Sequence, residues 1–596
     1  MRIAYKNNRV ERTVAIVKTG ASAVVVASFV ILFGFDEPFV PLPVLFGVQL
    51  GMLCVFLAGK VVRLSNAESK KEYILANWFE IPMLAALAVA VFGSGRWFSE
   101  TQPDRVRHLA VGIYLIIEVT VKVCIATVRL AASGKNPTKT LIARFVVLIV
   151  TGGGLLMLPR ASTAEPLSLI DALFTATSAT CVTGLVVRDT GQDFTFMGQV
   201  IILILIQLGG LGIVVFGAVF ALLLGQAFSV RESVAMQDVL SAQTLSRIGN
   251  MILFIFIATL IVEAAGAVLL YPMWTKVPGW QNDSHPQWFC SAFHSISAFC
   301  NAGFALFDDS LIRYNRQWQV YAVICPLIIL GGLGFGVLYN LANMAGNRIQ
   351  RSVKRRFHKQ YKLQMEVPKR MRLQTKVVLS VSALLIVFGM LAILLLERYA
   401  GAPSADRRFD VPTALFQSVT ARTAGFNTVD ITTMTPSSKI VLMMLMFIGG
   451  SPGSSAGGIK TVTLAVIVMT VFATLRKRGD VEMFRRSVRL VVVGRAITVA
   501  LLFVAVLFAT MLALSVTEAP LSGGFTMLDL MFESASALGT VGLSTGVTPT
   551  LTTAGKVIII VVMLIGRLGP LTLLAALTFN LKPVRYNYPD EAIIVG

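Results

Sequence analysis

The chain has 596 residues, 55% apolar and only 14% charged, with a mean hydropathy of +0.76. Soluble domains carry about 25% charged residues, so a soluble multidomain enzyme, a disordered chain and a secreted disulfide scaffold are excluded, and a polytopic membrane protein is indicated. The formal net charge of +21 would suggest nucleic acid on a soluble protein; on a membrane protein its distribution among the loops matters more than the total.

A membrane helix needs ~20 mostly apolar residues. In chain order, spans are predicted near 14–34, 41–59, 77–94, 109–128, 145–159, 199–223, 249–271, 318–342, 377–396, 440–472, 491–516 and 557–578. The first follows Arg2, Lys6, Arg9 and Arg12, but its apolar stretch exceeds the ~7–15 residues of a signal-peptide core, so it reads as a retained helix. Twelve spans with a cytoplasmic N-terminus put 1–13, 60–76, 129–144, 224–248, 345–376, 473–490 and 579–596 inside. Those loops hold 33 Lys+Arg and 10 Asp+Glu, and the outer loops hold 14 and 18. The inside is therefore +23 and the outside −4, as the positive-inside rule requires. Basic runs such as Lys354-Arg355-Arg356 then read as cytoplasmic loops beside anionic lipid.

Four of the outer loops carry short apolar segments too brief to span. All share Phe, three residues, Ser or Thr, Ala, then Gly and Leu or Phe: Phe174 to Leu185, Phe293 to Phe304, Phe416 to Phe426, Phe532 to Leu543. The glycines fall at 184, 303, 425 and 542, spaced by 119, 122 and 117. A second echo follows each by ~24–28 residues: Gly209-Gly210, Gly331-Gly332, Gly449-Gly450, and Gly566 with Arg567. The repeat predicts four units of span, short helix, Gly turn and span, all in one orientation. Parallel units with a re-entrant loop suit a pore on a pseudo-fourfold axis, whereas inverted repeats suit a rocking transporter.

Irregular backbone at membrane depth is tolerated where it is buried or faces water, and rings of backbone carbonyls can replace the hydration shell of an alkali cation. The residues before the glycines (Thr183, Ala302, Ala424, Val541) supply no charged ring, so the backbone is left to coordinate. The short helices point their C-terminal ends, with partial negative charge, at the pore centre. Asp189, Asp193, Asp308, Asp309 and Asp430 follow the glycines and either concentrate cations at the mouth or are ordinary solvated loop acids.

Thr540-Val541-Gly542 resembles the centre of a potassium-channel filter. With the four loops, the parallel repeat and the segment 449–461, the chain resembles the Trk/Ktr/HKT superfamily of potassium transporters over roughly residues 140–580, most closely its bacterial Trk and Ktr members. The resemblance implies an all-α polytopic membrane protein in which four parallel span–pore-helix–span repeats surround a pseudo-fourfold potassium pathway, preceded by about four N-terminal spans. It divides the chain into 1–135 (extra N-terminal spans), 136–230, 231–350, 351–478 (with an intramembrane gate loop) and 479–596 (with the cytoplasmic C-terminus). The implied K+ filter is Thr180, Cys181, Val182, Thr183, Gly184, Cys300, Asn301, Ala302, Gly303, Arg422, Thr423, Ala424, Gly425, Gly539, Thr540, Val541 and Gly542. In this superfamily Ser at the first filter glycine accompanies sodium passage; Gly184 resembles the potassium-preferring type. Also implied are a homodimer, a cytoplasmic ring of nucleotide-binding regulatory subunits, K+ as the transported ion with no bound cofactor, and the bacterial inner membrane. Four spans before the first repeat depart from bacterial relatives, which usually have two or none.

Residues 449–458 carry five Gly and one Pro, so the third unit's second span cannot be one helix. The run nearly matches a phosphate-binding loop, but Ile459 separates the last Gly from Lys460-Thr461 and no strand precedes it. By resemblance Gly449, Gly450, Ser451, Pro452, Gly453, Ser454, Ser455, Ala456, Gly457, Gly458 and Lys460 form a gate below the filter. The break is expected in the third unit alone. Arg567, an intramembrane charge, is implied to oppose cation passage when the gate is closed; the other reading is an arginine bonded to carbonyls for packing. Arg422 is expected to brace the filter from behind. The four histidines (His108, His285, His294, His358) form no metal or triad pattern, His294 is expected to pack, and the six cysteines show neither metal nor disulfide spacing. These features predict no enzyme. The competing reading is a sodium- or proton-coupled secondary cation transporter.

Overall fold

The computed structural model describes residues 5–77, 80–97, 107–120, 122, 137–163, 166–212, 218, 248–276, 285–357, 371–400, 409–519 and 525–577. The second halves of the spans predicted at 109–128 and 199–223, the loop around His358, Cys124 and the C-terminal tail lie outside the described residues.

Among the described residues the structure is mostly helical. Four N-terminal helices come first: α1 (Asn8–Gly34), α2 (Leu42–Asn66), the short α3 (Lys70–Ala76) and α4 (Glu80–Trp97), followed by a helical stretch over 107–120. Val25, Phe56, Leu87, Val111 and Leu115 bring α1, α2, α4 and that stretch into one core. Inside it lies a polar cluster that composition alone did not reveal. Lys60 pairs with Glu118 at 3.0 Å and Glu80 at 3.3 Å, Lys18 pairs with Glu118 at 3.6 Å, and Lys122 donates to the Lys18 carbonyl at 2.8 Å. Lys18, Lys60 and Glu118 are all buried. Buried charges must be paired to be tolerated, and the three lysines and two glutamates share one site. This bundle meets the rest of the chain at its far end, where Asp36 pairs with Arg160 at 3.3 Å.

The remainder repeats one motif four times. Each unit has a first helix, a short buried helix and a second helix: α5 (Pro137–Leu156), α6 (Leu169–Cys181) and α7 (Phe196–Leu211); α8 (Ile248–Leu270), α9 (Gln287–Cys300) and α10 (Cys325–Leu333); α12 (Leu373–Ala400), α13 (Val411–Thr420) and α14 (Pro436–Phe447); α16 (Leu490–Thr517), α17 (Met527–Gly539) and α18 (Thr553–Leu568). Between these come α11 (Phe335–Phe357), α15 (Thr461–Leu475) and a hairpin pairing Val481–Met483 with Arg486–Val488, and α19 (Pro570–Leu577) follows α18. The second helices start where a Thr side chain accepts from an N–H of the first turn, at Thr195, Thr435 and Thr552. Among the described residues six helices are long and apolar enough to cross a membrane, and a seventh candidate is a bent pair. The protein is thus a multi-pass membrane protein.

That bent pair overturns the expectation that only the third unit's second span is broken. α10 ends at Gly334 (φ +88°), and α11 leaves at 103° to it. α7 ends at Gly212 (φ +82°) and α18 at Gly569 (φ +84°). Each of these glycines lies three residues after the first echo glycine. A residue at positive φ stops the helix from propagating, and this glycine is a break signal separate from the Gly pairs. In the third unit the same position is Pro452, and the break widens to 449–458. Among the described residues, what is particular to that unit is the length of its break.

Candidate functional site

The four short helices carry their motif phenylalanines, Phe174, Phe293, Phe416 and Phe532, at zero exposure. Their ends follow one backbone pattern. The residue two before each glycine is left-handed, Val182 (φ 57°), Asn301 (59°), Thr423 (73°) and Thr540 (51°), and the glycine itself has φ of 72–95°. For a β-branched residue the left-handed region costs roughly 1–2 kcal/mol. Three of the four sites hold one, so strain is stored where backbone shape matters most.

The four loops meet in a closed ring. A Cβ added to Gly184 would strike the Ala302 carbonyl oxygen; one on Gly303, the Ala424 oxygen; one on Gly425, the Val541 oxygen; one on Gly542, the Thr183 oxygen; all closer than 3.0 Å. Each glycine therefore abuts the carbonyl that precedes the next unit's glycine, and the series returns to its start. Only Gly leaves room for this approach. The same logic explains the echo glycines. A Cβ on Gly209, Gly331 or Gly566 would collide with a carbonyl of its own unit's short helix, Thr180, Phe299 or Leu538.

The motif Ser or Thr holds each loop in one of two ways. Ser178 and Ser536 accept from the N–H of Gly184 and Gly542, both at 3.1 Å. Ser297 and Thr420 donate to the carbonyls of Phe304 and Phe426, both at 2.8 Å. The residue after each motif Phe was not assigned from sequence except for packing at His294. Three of the four brace the chain that rises from the ring. His294 Nε2 accepts from the Leu306 N–H at 3.4 Å while Nδ1 lies 2.8 Å from the Cys290 carbonyl. Gln417 donates to Thr428 at 3.3 Å. Glu533 accepts from the Thr545 N–H at 3.0 Å, Thr548 at 2.6 Å and Ser544. The fourth, Thr175, is also buried. The recurrence of Leu306, Thr428 and Thr545 three residues after the glycines is the signal that could have found this set.

Seams between units are joined at one equivalent position, ten residues before the echo glycine. Lys556 donates to Asp171 at 2.6 Å, Lys439 to Asp529 at 3.4 Å, Tyr321 lies 3.5 Å from Thr413, and Gln199 lies 2.8 Å from His285. Arg422 extends behind its loop, donating to Ser382 and the Gly449 carbonyl, each at 3.4 Å.

The segment 449–458 lies beside the ring and is held by other units. Ser451 N–H donates to the Gly332 carbonyl at 3.0 Å, Ser455 Oγ to Gly331 at 3.2 Å, and Phe335 N–H to Gly453 at 2.9 Å. Arg567 donates to the carbonyls of Ser455 and Gly209, linking this segment to the first unit. Lys460 turns back onto the Ala456 and Gly457 carbonyls at 2.7 and 3.3 Å. A Cβ on Gly457 would strike the Thr540 hydroxyl, so the segment packs directly under the fourth loop.

The outer acids are committed to their own loops. Asp189 accepts from the Gly191 and Gln192 N–H groups at 2.8 Å each, Asp430 from Thr432, and Asp308 and Asp309 pair with Arg313. Burial pushes the Asp189 carboxyl above the usual range, against the pull of its two N–H partners.

Buried loops closing a ring within a multi-pass helical protein define a membrane transport protein. The comparisons name the group: the family model for TrkH, cation transport protein, matches residues 107–583, and the chain belongs to that family, a class of membrane cation transporters and not of enzymes. It is 38% identical over 465 residues to the Ktr system potassium uptake protein B of Bacillus subtilis, covering 77% of this chain and 97% of that protein. It is 36% identical over 467 residues to the potassium/sodium uptake protein NtpJ of Enterococcus hirae, covering 77% and 97%. In fold it is similar to the potassium transporter TrkH from Vibrio parahaemolyticus, with a TM-score of 0.55 at 20% identity over 85% of this chain and 97% of that one.

Proposed function

We propose that this chain is the potassium-selective, channel-like translocating subunit of a K+ uptake system. The observation that carries the reading is the closed ring in which each loop's glycine abuts the next loop's carbonyl. Carbonyl oxygens at one level, with no charged side chain among them, are the ligands that replace water around a large alkali cation. The filter is the residue set named above, from Thr180–Gly184 through Gly539–Gly542, with four parallel units around the axis and four spans before the first.

The segment 449–458 is the gate. Arg567 adds positive charge beneath the ring, and its bonds to Ser455 and Gly209 tie the gate to the first unit in the closed arrangement. The domain boundaries follow the repeat, at 135, 230, 350 and 478. The chain works as a homodimer in a bacterial inner membrane with both termini cytoplasmic, under a cytoplasmic ring of nucleotide-binding subunits; the charge division between loops and the potassium uptake relatives support this assignment.

The test is rubidium uptake by proteoliposomes, with sodium as competitor and with and without an imposed proton or sodium gradient. Uptake down the rubidium gradient alone, resistant to sodium, is expected. Uptake only when a second gradient is imposed would establish the coupled transporter instead.

A further inference from the structure

The seam between the first and second units carries a group of side chains that the ring does not use. Glu263 on α8 is 4% exposed and Cys300 at the end of α9 is 1% exposed. Gln207 reaches them from α7, donating through Nε2 to Glu263 Oε2 at 3.1 Å. Cys300 Sγ lies 3.6 Å from Gln207 Oε1 and 3.9 Å from Glu263 Oε1. The thiol is pressed against α7, where a Cβ on Gly210 would sit 2.6 Å from it. Among the described residues no ion pair engages Glu263.

The other seams do not repeat this set. The residue two before the echo glycine is Gln207 here but Ile329, Phe447 and Leu564 in the later units. Ser295 donates to the Glu263 carbonyl as Ser418 does to that of Ile386, so Ile386 occupies the position of Glu263 in the third unit. Ile386 lines a small cavity with Ile329, Ser382 and Arg422. One seam therefore holds an arginine and a serine among apolar side chains, and its counterpart offers thiol, carboxylate and amide oxygen.

A carboxylate buried without a cationic partner is costly, and buried charges are paired or coordinate metals. Zinc-type sites place sulfur ~2.3 Å and oxygen ~2.0–2.2 Å from the metal, which makes a tetrahedral S···O edge of about 3.6 Å. The two sulfur–oxygen separations match that edge with small adjustment. We propose that Cys300, Glu263 and Gln207 form a binding site for a thiophilic divalent cation of the zinc or cadmium class, behind the second loop of the ring. On binding, the Cys300 S–H bond breaks, its proton leaves to solvent, and the thiolate and the Glu263 carboxylate donate to the metal, with the Gln207 oxygen as third ligand.

The test titrates purified full-length protein with Cd2+ alone and follows the thiolate-to-cadmium ultraviolet band and the bound stoichiometry. It involves no transport, so its failure is separable from failure of the potassium reading. One Cd2+ per chain is expected. Cys300→Ser should abolish the band, and Glu263→Gln should weaken binding at least tenfold. Gln207→Leu, which copies the fourth unit, should also weaken it and serves where the other two fail to fold. Cys54→Ser, which removes an exposed thiol, should bind as wild type. Binding unchanged in the Cys300, Glu263 and Gln207 variants, or lost with Cys54→Ser, would overturn the assignment.

Discussion

The Lys556 ammonium lies 2.6 Å from the Asp171 carboxylate, 385 residues earlier in the chain. The pair fastens the fourth unit to the first and closes the ring that the chain itself leaves open. Lys439 and Asp529 do the same between the third and fourth units at 3.4 Å.

Lys556→Met should therefore destabilise the protein by ~1–3 kcal/mol, the cost of leaving a buried carboxylate short of a partner, since Arg188 at 3.7 Å remains to Asp171. Denaturant or thermal unfolding in detergent measures this. The Lys556→Met/Asp171→Leu double variant should lose less than the sum of the singles; strict additivity would show that the two do not interact.

Glu533→Ala should relax discrimination between rubidium and sodium by about tenfold, or ~1.4 kcal/mol. It leaves Thr545 N–H, Ser544 and Thr548 without the acceptor that holds the chain above the fourth loop. Competition in rubidium uptake reads the change, and an unaltered selectivity in folded protein would mean that Glu533 does not shape the ring.

Gly184→Ser must adopt φ near +89° and push against the Ala302 carbonyl at 2.5 Å. Selectivity for potassium over sodium should fall, because the backbone of the second loop must shift to admit the side chain, on top of a left-handed φ cost of roughly 1–2 kcal/mol. Unchanged relative uptake of the two ions in a well-expressed variant would count against the filter assignment.

Arg567→Ala removes both tethers from the 449–458 segment and the positive charge beneath the ring. Rubidium flux should rise several-fold and depend less on the regulatory subunits proposed above. The same is expected on shortening the segment. Wild-type flux under unchanged control in both variants would make the break a packing feature only.

Glu118→Ala strips Lys18 and Lys60 of a shared carboxylate inside the N-terminal bundle. Leaving buried charge uncompensated costs ~3–5 kcal/mol, so stability should drop far more than flux per folded molecule. A variant as stable as wild type would mean that the lysines have found other partners.

Much of this site is legible in the sequence because a period of about 120 residues repeats its glycines in phase, and four concordant positions constrain a backbone better than one. The ring glycines, the motif Ser or Thr and the echo glycines all belong to that pattern. What escaped reading was whatever depends on a partner distant in sequence. Glu533 and Gln417 look like ordinary polar residues of a helix until Thr545 and Thr428 are seen opposite them. Gly334 reads as one more small residue in an apolar run, since positive φ leaves no mark on composition. Lys18, Lys60 and Glu118 lie in separate helices, and no local pattern announces that they converge.

The bend at Gly334 also fixes where the first basic residues after it, Arg348 and Arg351, are delivered. If α10 stands upright in the bilayer, a turn of 103° sends α11 nearly along the membrane surface, starting beside Pro452. Its 23 residues extend for ~34 Å. Arg348 and Arg351 thus stand ~20–24 Å along the helix from the bend, more than twice the ~8 Å Debye length of physiological salt. Salt therefore screens their charge before it reaches the bend.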